Sequence, residues 1–388
     1  MAKKSDLILV TGGHATPALA VISELKKRGY TNFLWVGHKY NQQGNKEVSP
    51  EFKLVEEVGI KFLDLKTGKI NRKWNLQNFL PSIGSLFMIS YGLIQSKLIL
   101  LRNRPRIIVS FGGYLAVPIV FVAWLLRVKI ITHEQTIVTG LANKVISKFA
   151  NKVCISWENS KQFFPERKTV FTGNPIRREV FKIESDELIK DLDPKKPTIY
   201  VTGGNQGAHE INKRIFEYLP NLLQECNIIH QTGNSSATND YQTALDLKKD
   251  LTGELNIRYK PVDYVTAAQI GSVFNKADVV FARSGANTVS ELLALGKLSI
   301  LMPIPWTSGD EQTMNARILE ETGLGFIIVQ KDNLTSKQIY QTILLSLNQI
   351  KTGKGFNGRT IEECKEVAQA KIILDAPQKV ADVIESLF

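Results

Sequence analysis

Leu7-Ile8-Leu9-Val10-Thr11-Gly12-Gly13-His14-Ala15-Thr16-Pro17 opens the chain, and Thr198-Ile199-Tyr200-Val201-Thr202-Gly203-Gly204-Asn205-Gln206-Gly207-Ala208 repeats its plan in the second half. Each is a short apolar run, long enough for a buried strand, that ends in a glycine turn and enters a helical pattern. The tetrapeptide Val-Thr-Gly-Gly is identical in both places. After the first turn, Thr16 is expected as N-cap, Pro17 suits the first helical position, and Gly29 closes the helix. Phe33-Leu34-Trp35-Val36 then reads as the next strand, completing a β-turn-α-β unit of the kind that builds parallel sheets. In the second half, Ile211, Ile215, Phe216 and Leu219 recur at helical spacing behind the third glycine turn. Two doubly wound α/β domains of similar design, facing each other across a cleft, follow from this repetition.

The length of 388 residues fits two such domains. With 43% hydrophobic and 22% charged residues, the composition is that of a globular chain with enough apolar surface for two cores. The polar stretch from Lys182 to Pro197 places a boundary near residue 180, giving domains over 1–180 and 181–370. Lys371 to Phe388 is a terminal helix expected to cross back onto the first domain. Met1 to Asp6 leads straight into Leu7–Val10, too short for the apolar core of a secretory signal. Cys154, Cys226 and Cys364 are scattered without metal or redox spacing, so a reducing cytosol is the expected setting. Asp191-Leu192-Asp193 sits in the polar linker beside Pro194 and reads as solvated loop, not as a metal site.

The net charge of +12 and a pI near 9.4 predict attraction to an anionic partner. No zinc-finger spacing or aromatic-basic single-strand motif is present, which ranks nucleic acid below a phosphorylated substrate or an acidic membrane face. Between Phe79 and Arg106 the chain turns strongly apolar and ends in Arg102, Arg104 and Arg106. Ser82, Gln95 and Lys97 interrupt it, so it is not a spanning segment. It reads equally as a core-facing helix pair or as a surface that dips into a headgroup region with a basic flank.

Candidate chemistry lies in the turns. His14 stands in the first, beside a helix start and at the carboxyl end of a strand, where open α/β sheets bind ligands. Phe111-Gly112-Gly113-Tyr114 forms the second turn, and His133-Glu134-Gln135-Thr136 ends another strand. Asp278-Val279-Val280-Phe281 leads into Arg283-Ser284-Gly285-Ala286-Asn287-Thr288-Val289-Ser290-Glu291, a strand, small-residue turn and helix start that offer backbone N–H groups to an anion. Thr288-x-x-Glu291 also matches a capping box, which by itself is the commoner explanation of such a pair. Gln312 and Asn315, three apart, share a helical face. There is no G-x-G-x-x-G, no Walker lysine, no metal-ligand spacing and no serine nucleophile elbow. Helix N-termini and glycine turns remain as the means of holding phosphate without a metal.

Seven motifs in order carry a resemblance: Thr11 to Ala20, Ser110 to Tyr114, His133 to Gln135, Gly173-Asn174-Pro175-x-Arg177, Gly203-Gly204-x-Gln206-Gly207-Ala208, Arg283 to Glu291, and Gln312-x-x-Asn315-Ala316. Together they resemble the MurG-type family of UDP-N-acetylglucosamine transferases. That resemblance implies a GT-B fold of two Rossmann-like domains and an inverting transfer that needs no metal or other cofactor. N-acetylglucosamine would move from its UDP form to undecaprenyl-diphosphoryl-N-acetylmuramyl-pentapeptide, in peptidoglycan synthesis, at a peripheral seat on the cytoplasmic face of an anionic plasma membrane. By position, Glu291 is expected at the ribose hydroxyls and Arg177 at the diphosphate. Asn205, Gln206 and Gly207 are expected by the phosphates, Ser284, Gly285, Ala286 and Thr288 in the donor turn, and Gln312 and Asn315 near the sugar. Thr11, Gly12, Gly13, His14, Gly112, Gly113, Tyr114 and Thr136 are expected to hold the acceptor. His14 is the expected base, with Glu134 second.

The chain departs from the family pattern in a first turn shorter by a few residues, in Thr136 where asparagine is usual, in Asn205 where serine is common, and in Glu311 where histidine or glutamine is usual. The donor side therefore keeps the pattern better than the acceptor side. Three other readings share the motifs: a different UDP-sugar glycolipid transferase, a UDP-N-acetylglucosamine 2-epimerase, and a non-catalytic nucleotide-sugar binder.

Overall fold

A computed structural model describes residues 4–40, 48–68, 79–184, 186–204 and 206–388. Side chains at 79–83 and 86, within the apolar segment, lie outside that description, as does the whole of Asn205. The chain divides into two compact units: Met1–Arg177 together with Ile373–Phe388, and Arg178–Ile372.

The first unit is built on a seven-stranded sheet. Its strands are β1 Ile8–Thr11, β2 Phe33–Gly37, β3 Lys61–Asp64, β4 Ile107–Ser110, β5 Lys129–Glu134, β6 Lys152–Ile155 and β7 Thr169–Phe171. They lie in the order β3-β2-β1-β4-β5-β6-β7, all parallel, with Thr11 opposite both Val36 and Ser110. β1 and β4 are apolar and buried along their whole length because helices cover both faces, as parallel sheets require. Ile8 and Val10 point into one core with Val21, Ile22 and Leu25 of the helix Ala15–Lys27, while Leu9 points into the other with Ile119 and Val120.

The second unit repeats the design with six parallel strands: β8 Thr198–Thr202, β9 Asn227–Gln231, β10 Tyr259–Val262, β11 Val279–Ala282, β12 Leu298–Leu301 and β13 Gly325–Ile327. Their order is β10-β9-β8-β11-β12-β13. In each sheet the order reverses beside its first strand, at β1/β4 and at β8/β11. Helices leave opposite faces there, and the strand ends open a crevice for ligand. Both switch points carry the glycine turns singled out from the sequence. Two doubly wound parallel sheets with helices, one in each of two domains, are the architecture of a GT-B fold.

Several elements differ from the sequence reading. The first helix starts at Ala15 with His14 as N-cap, so Thr16 and Pro17 lie inside its first turn. The segment from Phe79 is one helix, Phe79–Asn103, not a pair. Its Phe87, Tyr91, Ile94, Leu98 and Leu101 recur at helical spacing and are exposed, whereas Ile99 and Leu100 are buried. The last helix is shorter than expected, Ala376–Glu385. It buries Val380, Ala381 and Ile384 in the core beneath the helix Ala15–Lys27. Arg28 clamps it there with bonds to Asp382 at 2.6 Å, Glu385 at 2.7 Å and the Gln378 carbonyl at 3.1 Å.

Candidate functional site

In the first unit the turn after β1 packs against the turn after β4. Gly12 has φ +129°, and a Cβ there would stand 2.8 Å from the Gly112 carbonyl oxygen, so only glycine lets the two turns approach. His14 Nδ1 donates to the Phe111 carbonyl oxygen at 3.0 Å. A carbonyl can only accept, so in the neutral ring the proton sits on Nδ1 and the lone pair on Nε2. The half-buried ring thus presents a proton acceptor at the mouth of the switch point. Thr11 Oγ1 is buried there with no hydrogen-bond partner, an unmet polar group of the kind that a polar ligand satisfies. Tyr114, beyond Gly112 and Gly113, has its hydroxyl 3.0 Å from His38 Nε2.

The end of β5 is arranged differently. Glu134 is buried, and its two oxygens accept from Thr136 N at 3.1 Å, Thr136 Oγ1 at 2.8 Å, Gly140 N at 3.3 Å and Asn143 Nδ2 at 3.0 Å. Those bonds make Glu134 the organiser of the 136–143 turn, and they turn the Thr136 hydroxyl inward. His133 is fully buried, donates from Nε2 to the Gly173 carbonyl at 3.0 Å and accepts from Gln135 Nε2 at 3.2 Å. Burial pushes it down to about 4, so it stays a neutral structural ring. Arg177 ends the N-terminal stretch of this unit, partly buried.

In the second unit, Gly207 has φ +78° and donates its N–H to the Gly204 carbonyl at 3.0 Å; a Cβ would collide with the Thr232 carbonyl oxygen. Gln231 Nε2 supports the same Gly204 carbonyl at 2.9 Å, and Tyr200 donates to Gln231 Oε1 at 2.7 Å. Gln206 stays exposed at the turn's outer edge. The helix His209–Glu217 begins immediately after, and His209 Nδ1 bonds Asp240 Oδ1 at 2.8 Å. Asp240 also accepts from Asn212 Nδ2 at 2.8 Å. This support was invisible in the sequence, since Gln231 and Asp240 belong to distant segments and carry no motif.

The turn after β11 is tied down by Arg283, which donates to the Met302 carbonyl and to Gln330 Oε1, each at 2.8 Å. Burial pushes this guanidinium down to about 10. The helix Ala286–Leu295 has Gly285 as N-cap and no side-chain cap, so the capping-box reading of Thr288 and Glu291 is overturned. Thr288 lies in the first turn and Glu291 in the second, on one face, with Glu291 only 5% exposed. Gln312 and Asn315 do share a face of the helix Glu311–Glu320. Gln312 Oε1 accepts from Ile304 N at 3.1 Å, and Asn315 Nδ2 donates to the Ser284 carbonyl at 3.3 Å. Ser284 Oγ and Asn315 Oδ1 are both buried and have no hydrogen-bond partner. Two orphaned polar atoms on residues joined to each other at a switch point mark where a ligand's polar groups fit.

The structure therefore brings Thr11, Gly12, Gly13 and His14 together with Gly112, Gly113 and Tyr114 at one switch point, and Ser284 to Glu291 with Asn315 at the other. Residues 10–155 match the glycosyltransferase family 28 N-terminal domain, and residues 198–370 match the family 28 C-terminal domain. The chain is 31% identical over 381 residues, 97% of each chain, to the UDP-N-acetylglucosamine–N-acetylmuramyl-(pentapeptide) pyrophosphoryl-undecaprenol N-acetylglucosamine transferase of Thermoanaerobacter sp. (strain X514). It is 33% identical over 344 residues to the protein of the same name from Clostridium novyi (strain NT), covering 87% of this chain and 89% of that one. Among solved structures, that of Acinetobacter baumannii MurG superposes with a TM-score of 0.64 at 24% identity, over 98% of this chain and 99% of the other, a likeness of fold.

Proposed function

The chain belongs to glycosyltransferase family 28, and from that premise we infer that it moves N-acetylglucosamine from its UDP form onto undecaprenyl-diphosphoryl-N-acetylmuramyl-pentapeptide. The observation that carries this reading is the near-full-length similarity to transferases of that name. In it, the first unit holds the acceptor at the Gly12–His14 and Gly112–Tyr114 turns, and the second unit holds the donor. Ser284 Oγ and Asn315 Oδ1 gain their missing partners from the nucleotide sugar. Glu291 accepts from ribose hydroxyls, Gln312 faces the sugar, and Gln206, Gly207 and Arg177 meet the diphosphate.

The chemistry follows from these roles. The acceptor hydroxyl oxygen attacks the anomeric carbon from the face opposite UDP, and its proton passes to His14 Nε2. The bond from that carbon to the diphosphate breaks, and its electron pair leaves on UDP with inversion at the carbon. Fixed donors stabilise the departing charge: the Arg177 guanidinium and the N–H groups that open the helices after the second unit's turns.

The deciding experiment measures UDP release from UDP-N-acetylglucosamine with and without the lipid-diphosphate-linked N-acetylmuramyl-peptide. Acceptor-dependent release with a new disaccharide product is expected. Donor binding without release, or conversion of the donor sugar without any acceptor, would replace this reading with a non-catalytic binder or an epimerase.

Peripheral attachment to an anionic membrane face belongs to the same reading. Among the described residues no helix is long and apolar enough to cross a membrane. What supports surface attachment is the exposed apolar stripe on the helix Phe79–Asn103, where Phe87 is 73% and Ile94 61% exposed, together with exposed Trp124 and Leu125 on the helix that packs beside it. Lys97, Arg102, Arg104, Arg127 and Lys129 are exposed around it, each worth about 1 kcal/mol near an anionic surface. The double substitution Ile94→Asp and Leu98→Asp is expected to lower partitioning onto vesicles containing anionic phospholipid by at least about tenfold, because two apolar anchors become charged. The melting temperature should hold, since both side chains already face water. Unchanged partitioning would remove this helix from the membrane contact.

A further inference from the structure

The turn after β1 is short, with only Gly12, Gly13 and His14 between Thr11 and the helix that begins at Ala15. A hydrogen bond passes across it. β2 and β4 are the two neighbours of β1 in the sheet. His38, directly after β2, is joined to Tyr114, from the turn after β4, at 3.0 Å, with the rings tilted and their centroids 5.9 Å apart. Gly113 brings the β4 turn against the Gly13 backbone, since a Cβ there would lie 3.3 Å from Gly13 N. The His38–Tyr114 pair therefore closes over the acceptor turn from the β2 side.

Both ends of the pair are held. Asp64 Oδ1 stands 3.9 Å from His38 Nδ1 and is itself fixed by the Lys39 N–H at 2.9 Å. That carboxylate favours the tautomer with its proton on Nδ1, so Nε2 accepts and the Tyr114 hydroxyl donates. Glu51 lies near Tyr114, its carboxyl bonded by Trp35 Nε1 at 2.5 Å and pushed up to about 7 by burial. Burial and the Glu51 charge hold the Tyr114 hydroxyl above its ordinary range, which keeps the proton that makes this bond. Gly37 has no side chain because a Cβ there would strike the Glu51 carboxyl.

We propose that His38 is a positioning residue for the acceptor: oriented by Asp64, it fixes Tyr114 as a bracket over the Gly12–Gly13 turn, so that the tyrosine ring meets the sugar-diphosphate head of the incoming lipid. The proposal rests on the reading that the first unit binds the acceptor.

The test compares wild type, His38→Ala, His38→Gln, Tyr114→Phe and the double variant His38→Ala/Tyr114→Phe. The probe is an N-acetylmuramyl-peptide diphosphate on a short isoprenoid, with Kd from calorimetry and KM and kcat from UDP release. His38→Ala and Tyr114→Phe should each raise the acceptor Kd and KM about tenfold, the loss expected of one oriented hydrogen bond. The kcat should fall less than the KM rises, with the KM for UDP-N-acetylglucosamine unmoved. The double variant should be no worse than the poorer single one, because both remove the same bond. His38→Gln, which still offers a hydrogen-bonding group to the tyrosine, should recover most of the loss. Additive losses in the double variant, an equal shift in the donor KM, or an unaltered acceptor Kd in His38→Ala would each overturn the proposal. Should His38→Ala fail to fold, Tyr114→Phe and His38→Gln carry the same comparison. Wild-type protein that binds the probe without transferring sugar would end the transferase reading while the Kd series still decides this one; no binding of the probe by wild type overturns both.

Discussion

His14→Ala should lower acceptor-dependent turnover by about 10²–10⁴-fold, the range expected when a positioned general base is removed, and leave the affinity for UDP-N-acetylglucosamine in place. The argument rests on one bond. Because Nδ1 is committed to the Phe111 carbonyl, the neutral ring has its lone pair on Nε2 and is held in one orientation at the turn after β1. His14→Gln separates two roles that alanine removes together. Glutamine can still donate to that carbonyl but cannot take a proton from a hydroxyl at neutral pH. If His14 acts as base, both variants fall together; if it only positions the turn, glutamine recovers most of the rate. Full turnover in His14→Ala would move the search for a base elsewhere. Glu134 would be a poor successor, with both oxygens engaged by the 136–143 turn.

Ile384→Ala should cost about 2–5 kcal/mol of stability, as other large-to-small changes at fully buried sites do. Ile384 has no exposed surface and sits in the same core as Val21, Ile22 and Leu25. For a unit of this size, that loss lowers the melting temperature by something on the order of 10 °C. The loss should be confined to the first unit: calorimetry should show one transition moving down while nucleotide-sugar binding, which the proposed function assigns to the second unit, persists at temperatures where the first has melted. A single unshifted transition would contradict the packing described for this helix.

Much of the fold was legible because it is written locally. Glycine turns after apolar runs located both switch points, and the repeated Val-Thr-Gly-Gly gave the two-sheet plan. What was illegible is what depends on partners far along the chain. Thr16 and Pro17 carry helix-start signals, yet the helix starts at Ala15, because packing of the Gly12 turn against Phe111 and Gly112 sets where the chain straightens. Thr288 and Glu291 have capping-box spacing, but Gly285 takes the cap and leaves Glu291 buried in the second turn. Ser284 and Asn315 were singled out from motif alone, whereas their orphaned oxygens are visible only in the structure. His38 carries no motif at all. Its part emerges only when β2 and β4 flank β1.

The helix Ala376–Glu385 completes a core begun at Ile8. During synthesis, then, the first unit cannot close when its own strands have emerged, because the last piece of its packing is encoded after the whole of Arg178–Ile372. At typical elongation rates of about 5–20 residues per second, that is a wait of roughly ten to forty seconds. Through that interval the face of the helix Ala15–Lys27 that will receive Val380 and Ile384 stays uncovered, while the second unit, continuous in sequence, is free to fold. The first unit therefore becomes the later of the two to complete its packing.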